Sequence, residues 1–244
     1  MSRMFALLYG TACYLTFLVT FLYTIGFVAD LVVPKTMDST APVPFGEALL
    51  INVVLLGIFA VQHSVMARPG FKLWWTQFVP KAVERSTYVL LSSLALLLLF
   101  WQWRSMPGVV WNIQNTAARY ALWALCGTGF ATVLFTTFLI NHFDLFGLRQ
   151  VYLNLKRQPY TSAGFRTPLL YRLVRHPLML GFIIAFWATP IMTVAHLVFS
   201  VATTAYILIA VQFEERDLAA YFGSVYEEYR RQVPMLLPWL KSRR

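Results

Sequence analysis

From Leu178 to Phe213 the chain runs 36 residues without one formally charged side chain. As a single helix this run would reach about 54 Å, at 1.5 Å per residue, against a bilayer core of about 30 Å. Pro190 interrupts it. Its borders carry opposite signs: YRLVRHPLMLGF brings Arg172, Arg175 and His176 to its start, and QFEERDL brings Glu214 and Glu215 to its end. These borders are either two ordinary membrane margins or two halves of one site.

Composition makes the membrane setting general. Only 12% of the residues are charged and 59% are hydrophobic, about half the charge of a soluble domain. Charge-poor runs fall at about 4–29, 47–66, 87–103, 118–140 and 178–213. The first is longer than a signal-peptide core and ends without an Ala-x-Ala site, so it reads as a transmembrane helix. The net charge of +10 is spread without a basic stripe and interleaved aromatics, which argues against nucleic acid. Cys13 and Cys126 each lie inside an apolar run and read as small buried side chains rather than a disulfide or a CxxC metal site. The four histidines, at 63, 142, 176 and 196, are scattered, and no metal is expected.

Loops on the cytoplasmic side are rich in Lys and Arg. Arg3 precedes the first run; Arg68, Lys72, Lys81 and Arg85 lie between the second and third. Arg149, Lys156, Arg157, Arg166, Arg172 and Arg175 precede Leu178, and Arg216, Arg230, Arg231, Lys241, Arg243 and Arg244 follow Phe213. Both ends of the long run therefore belong on the same side. A hairpin satisfies this, turning between Ala188 and His196, with each leg near the minimum length for spanning. The expected fold is an all-α integral membrane domain of about six transmembrane passes. It comprises four spans in 1–140, a cytoplasmic connection over 141–177, the hairpin over 178–213 and a cytoplasmic cofactor-binding segment over 214–244, both termini being cytoplasmic. The connection is long enough to cover a ligand and to order on binding it, with KRQPYTSAG as a flexible loop and TPLLYRLVRHP as a short amphipathic segment. Pro234 and Pro238 end the last helix and fold the tail back, with Trp239 at headgroup depth.

The hairpin brings RHP and the Glu pair to one face of the membrane. For RHP, interfacial anchoring by Arg with Pro in the first helical turn is one reading. A helix N-terminus with Arg175 and His176 as donors for a carboxylate or phosphate is the other. Glu215, Leu218, Phe222, Val225 and Tyr229 recur at spacings of three and four along a continuing helix, so Glu215 shares an apolar face and needs a cationic partner. Arg172 or Arg175 would make a structural ion pair; a positively charged ligand is the alternative. S-adenosylmethionine carries a carboxylate, an ammonium, a sulfonium, a ribose diol and adenine, and the nearby Arg, His, Glu, Tyr and Phe offer partners for each.

RHPLMLG, EERDL and YFGSVYEEYRRQVPMLLPW together resemble the C-terminal signature of the isoprenylcysteine carboxyl methyltransferase-like superfamily of integral membrane methyltransferases. The resemblance covers about residues 160–239. Leu178-Met179 departs from it where many relatives have an aromatic. The resemblance implies a cofactor site of Tyr171, Arg172, Arg175, His176, Pro177, Leu178, Gly181, Glu214, Glu215, Tyr226 and Tyr229, filled by S-adenosylmethionine. FAVQHSVMARPGFK (59–72) and FLINHFDLFGLRQVYLNLK (138–156) resemble a bacterial thiol-methylating branch of that superfamily. This implies conversion of a small volatile thiol, methanethiol, to dimethyl sulfide by an enzyme of the inner membrane. Gly127 and Gly129 form a lone GTG in an apolar run, which reads as helix packing.

Methyl transfer to sulfur is an in-line displacement that gains most from orientation. An alkyl thiol with a pKa above roughly 8.5 is mostly protonated at neutral pH and wants a base. His142, Asp144, His63 and Gln62 are the candidates. Interhelical hydrogen bonding is the plainer reading of Gln62 and His63, as a helix-terminus or Arg149 contact is for Asp144. His196 falls near the hairpin turn and reads as structural. Methylation of a lipid or isoprenylcysteine carboxylate is an alternative function on the same fold, and a non-enzymatic transport component is a second. The oligomeric state is left open.

Overall fold

The computed structural model describes residues 2–39, 41, 43–106, 108–161 and 164–238. The chain is an all-α integral membrane protein. Among the described residues, five helices are long and apolar enough to cross a bilayer: α1 (Arg3–Ala29), α2 (Phe45–Ala67), α4 (Lys81–Gln102), α5 (Thr116–Ile140) and α9 (Val194–Phe222). Shorter helices complete it: α3 (Pro69–Trp75), α6 (His142–Leu145), α7 (Leu148–Leu155), α8 (Pro177–Trp187) and α10 (Ser224–Gln232). Strands β1 (Val109–Asn112) and β2 (Ile191–Thr193) pair with each other.

Two compact units divide the chain. The first holds residues 1–108, 141–162 and 193–196. In it α1 packs on α4 and α7, and α4 packs on α2. Ala6, Val83 and Val151 form one buried cluster there, and Met66, Tyr88 and Val89 form another. Cys13 is buried with its thiol free. His196 is buried, and its backbone N–H donates to Thr193 Oγ1 at 3.1 Å.

The second unit holds residues 109–140, 163–192 and 197–244. Here α5 and α8 run antiparallel and almost touch. A Cβ on Gly129 would lie 2.6 Å from the Ala185 nitrogen and 2.7 Å from the Gly181 oxygen. A Cβ on Gly181 would lie 2.8 Å from the Gly129 oxygen. Small residues let helix backbones approach without a hydrophobic drive from lipid. Of the GTG pair, Gly129 makes this seam, whereas Gly127 faces open space.

The long apolar run is a hairpin. α8 ends at Trp187, the chain turns through 188–193, and α9 returns beside it. Ser200 Oγ donates to the Phe186 oxygen at 2.7 Å, and Trp187 Nε1 donates to Thr204 Oγ1 at 2.9 Å. At the tip, Trp111 Nε1 donates to the Thr189 oxygen and the Ile113 N–H donates to the Pro190 oxygen. The legs are unequal, which corrects the expectation of two near-minimal spans. α8, with 11 residues, is about 17 Å long and falls short of a span, whereas the 194–213 stretch of α9 reaches about 30 Å, near the expected minimum, before the helix continues to Phe222.

Two further expectations need correction. The helix carrying Glu215 does not continue to Tyr229. It breaks at Gly223, which adopts φ +58°, a left-handed conformation that glycine takes without a Cβ penalty. The break rotates the register, so Val225 is exposed and Tyr226 is buried. The connection before Leu178 also contains a helix, α7, that the sequence reading missed, and Leu169–Arg172 form a 3₁₀ turn. The tail folds back after α10, with the Pro234 and Met235 carbonyls meeting the RHP segment. Trp239, Lys241, Arg243 and Arg244 lie outside the described residues.

Candidate functional site

RHP and the Glu pair meet in the second unit. Arg175 Nε donates to Glu215 Oε1 at 2.6 Å, and His176 Nε2 lies 3.1 Å from the same oxygen. Arg175, His176 and Glu215 are all buried. Arg175 Nη1 also donates to the Arg230 and Val233 carbonyls, at 2.9 and 2.6 Å. The backbone N–H groups of Arg175 and His176 donate to the Pro234 and Met235 carbonyls. The cationic partner of Glu215 is thus Arg175, and His176 Nε2 is a second hydrogen-bond contact to the same oxygen. This junction ties the start of α8, the end of α9 and the tail behind α10 together. A buried carboxylate and guanidinium offset their desolvation only with such dense hydrogen bonding.

Around the junction lies a more open rim. Glu214 is about half exposed, with its Oε2 3.6 Å from His176 Nδ1. Arg172 is exposed, and its Nε donates to the Thr167 oxygen at 3.4 Å. Tyr229 donates its hydroxyl to the Tyr171 oxygen at 2.6 Å. Tyr226 is 2% exposed and its hydroxyl has no hydrogen-bond partner. Such an orphan is costly in the absence of a ligand or water. Phe165 packs edge-on against Tyr226 and Tyr229, with ring centroids 5.9 and 5.3 Å away. Phe165 was missed in the sequence because nothing about a lone Phe after a flexible loop marks it. Burial raises the Tyr171, Tyr226 and Tyr229 hydroxyls, Tyr229 to about 12, with Glu214 reinforcing the effect at Tyr171 and Glu215 at Tyr226. All three stay protonated donors at physiological pH. Pro177 opens α8, Leu178 is half-buried beside it, and Gly181 sits in the seam with Gly129.

The four residues expected near the acceptor lie in the first unit. His63, on α2, has Nδ1 3.2 Å from Ser92 Oγ. The Tyr88 hydroxyl is 3.1 Å from its Nδ1 and 3.0 Å from its Nε2. Gln62 donates from Nε2 to the Met66 sulfur at 3.2 Å, while its Oε1 is buried without a partner. His142 is 3% exposed, and its Nε2 lies 2.9 Å from the Tyr14 hydroxyl. Burial holds His142 below the usual histidine range, so it stays neutral at physiological pH. Phe146 meets the His142 ring edge-on and also packs on the Met66–Tyr88–Val89 cluster. Asp144 accepts from the Tyr160 hydroxyl at 3.1 Å and faces Arg149 at 3.5 Å. The sequence reading missed Tyr14, Tyr88 and Ser92. The last two share a helix face with Arg85, at i, i+3 and i+7, a signal that was available.

A membrane-embedded helical protein with an ion-paired junction, an aromatic rim and buried histidines belongs to a class the comparisons define more closely. The NnrU protein family matches residues 50–232. The methanethiol S-methyltransferase of Mycobacterium tuberculosis is 63% identical over 239 residues, covering 98% of both chains. That of Crocosphaera subtropica is 56% identical over 240 residues, covering 98% of this chain and 94% of its own. The Nurim homolog of Drosophila pseudoobscura pseudoobscura is 28% identical over 183 residues, covering 72% of this chain and 71% of its own. No solved structure matches. The chain belongs to the NnrU family, in the branch of the methanethiol S-methyltransferases.

Proposed function

We propose that the protein methylates methanethiol to dimethyl sulfide with S-adenosylmethionine, at the cytoplasmic side of a bacterial inner membrane. The observation that carries this reading is the 63% identity to the Mycobacterium tuberculosis methanethiol S-methyltransferase over 98% of each chain. The rim of the second unit fits such a donor. The orphaned Tyr226 hydroxyl calls for a polar partner, Glu214 suits an ammonium or a ribose diol, and Arg172 suits a carboxylate. The Phe165, Tyr171 and Tyr229 rings suit adenine and a sulfonium. Bound there, the donor supplies a methyl group activated by a positively charged sulfur. Arg175, His176 and Glu215 act beneath the rim, holding α8, α9 and the tail in register so that the binding groups are preorganised.

The acceptor is neutral, small and apolar, and its thiol proton must leave as the S–C bond forms. His142, Asp144, His63 and Gln62 are the candidate groups, the two histidines being able to take a proton on a ring nitrogen when neutral. The Lys- and Arg-rich segments that flank the spans support the cytoplasmic orientation.

The test is direct. Full-length protein in detergent micelles, given methanethiol and a donor carrying a deuterated methyl group, should release dimethyl sulfide bearing that methyl into the headspace. Unlabelled product only, or none from protein that remains folded, refutes the proposal.

A further inference from the structure

Within the first unit, a groove opens where α1, α6 and α7 meet. Its floor is Leu7 of α1 and Leu148 of α7, both packed on the Ala6–Val83–Val151 cluster. Phe143 and Tyr152, each half exposed, form its walls, and Asn141 and Arg149 complete the lining. The cavity measures about 420 Å³, within the usual size of ligand sites. Close backbone approach sets its shape: a Cβ on Gly10 would lie 2.7 Å from Val151 Cγ2, so α7 is seated directly on α1.

Depth and charge decide what such a groove fits. The apolar stretch of α1 starts at Met4 and α5 ends at Ile140, next to Asn141, so the groove lies where hydrocarbon gives way to headgroups. Arg149 is held in a fixed pose: Nη1 donates to the Thr161 oxygen at 2.8 Å and Nη2 to Thr161 Oγ1 at 3.2 Å. Its guanidinium also lies 5.4 Å from the Tyr160 ring centroid and 3.5 Å from Asp144 Oδ1. The Arg149 Nε–H takes no part in these contacts. Lys156 Nζ lies 5.9 Å from the Tyr152 ring centroid. Arg3 precedes Leu7 by four residues, on the same face of α1. The carboxylate facing these three cations, Asp144, is shared between Arg149 and the Tyr160 hydroxyl. An apolar floor with a cationic rim at a membrane border is complementary to an amphiphile with an anionic head.

We propose that this groove binds one anionic phospholipid from the leaflet that this end of the spans faces. One acyl chain lies along Leu7 and Leu148 between the Phe143 and Tyr152 rings, and the phosphodiester meets Arg149 and Lys156. A zwitterionic phospholipid offers the same phosphate but sets a second cation among those already there, which selects against it. The site lies wholly within the first unit and needs neither methyl donor nor thiol. Bound lipid fastens α7 to α1, so occupancy adds to stability by mass action.

The test is retention of lipid by the full-length protein. In detergent micelles doped equally with phosphatidylglycerol and phosphatidylcholine of matched chains, native mass spectrometry should find one phosphatidylglycerol retained in preference. Its affinity should fall about fivefold in Arg149→Gln and in Lys156→Gln, the weight of one basic residue near an anionic membrane surface. Lys156 is exposed, so its variant decides the matter even if Arg149→Gln, which also releases Thr161, fails to fold. Arg231→Gln removes an exposed cation of the second unit and should change nothing. Glycerophosphoglycerol, the same head without chains, should not displace the lipid. Thermal melts give a second readout: phosphatidylglycerol should raise the midpoint of the unsubstituted protein and raise it less in the two variants. Equal retention of the two lipids, an equal loss in Arg231→Gln, or displacement by glycerophosphoglycerol overturns the inference.

Discussion

Glu215 accepts hydrogen bonds from Arg175 and His176 at once, and this decides what its removal does. Glu215→Leu leaves a buried guanidinium without its carboxylate and should cost about 3–5 kcal/mol, whereas combining it with Arg175→Met should cost clearly less than the two single changes added together. Denaturation of the four proteins in one detergent measures this, and additive losses would show that the pair is not coupled. Tyr226→Phe removes only an orphaned hydroxyl and should leave stability unchanged or slightly raised while weakening ligand binding. Tyr229 gives a test by pH. Its hydroxyl is pushed up to about 12 in the folded chain, against roughly 10 for an ordinary tyrosine. The folded state holds this proton more tightly than the unfolded state, so its contribution is full below pH 10 and is lost as pH rises towards 12. Stability should therefore fall across that window less steeply in Tyr229→Phe than in the unsubstituted protein. Identical slopes would contradict the assignment.

The α5–α8 seam is the contact least tolerant of added volume. Gly181→Ala sets a methyl 2.8 Å from a backbone oxygen, which α5 can relieve only by moving away. A loss of about 1–3 kcal/mol is expected, whereas Gly127→Ala, facing open space, should be neutral in thermal melts. These elements also mark where the sequence could be read. The charge-free length of 178–213 and the matching charge at its ends were enough to require a hairpin, because a bilayer admits few alternatives. Its unequal legs were not legible, since both are uniformly apolar and the 188–193 turn depends on hydrogen bonds to residues some 75 positions away, such as Trp111 to Thr189. The pairing of RHP with Glu215 followed from topology. The buried position of Tyr226 did not, because it depends on a break at Gly223 that overrides an otherwise regular helical spacing. Phe165 and Tyr14 depended wholly on tertiary contacts.

For the whole molecule, the proposed orientation makes a labelling experiment decisive. Cys13 and Cys126 are both buried, so they provide a quiet background for introduced cysteines. In intact cells, a membrane-impermeant thiol reagent should label Val110→Cys in β1 and spare Glu228→Cys in α10, and opening the membrane should expose the latter. The reverse pattern would invert the topology and place the Glu215 junction on the wrong side for a cytoplasmic donor. The more searching measurement is calorimetric binding of S-adenosylhomocysteine to the detergent-purified full-length protein, compared with Tyr226→Phe and Glu214→Gln. Saturable binding by the unsubstituted protein, weakened about tenfold or more in each variant while both melt normally, is the expected result. Absence of binding by folded protein, or binding that neither substitution disturbs, would contradict the assignment of the RHP–Glu215 rim as the methyl-donor site.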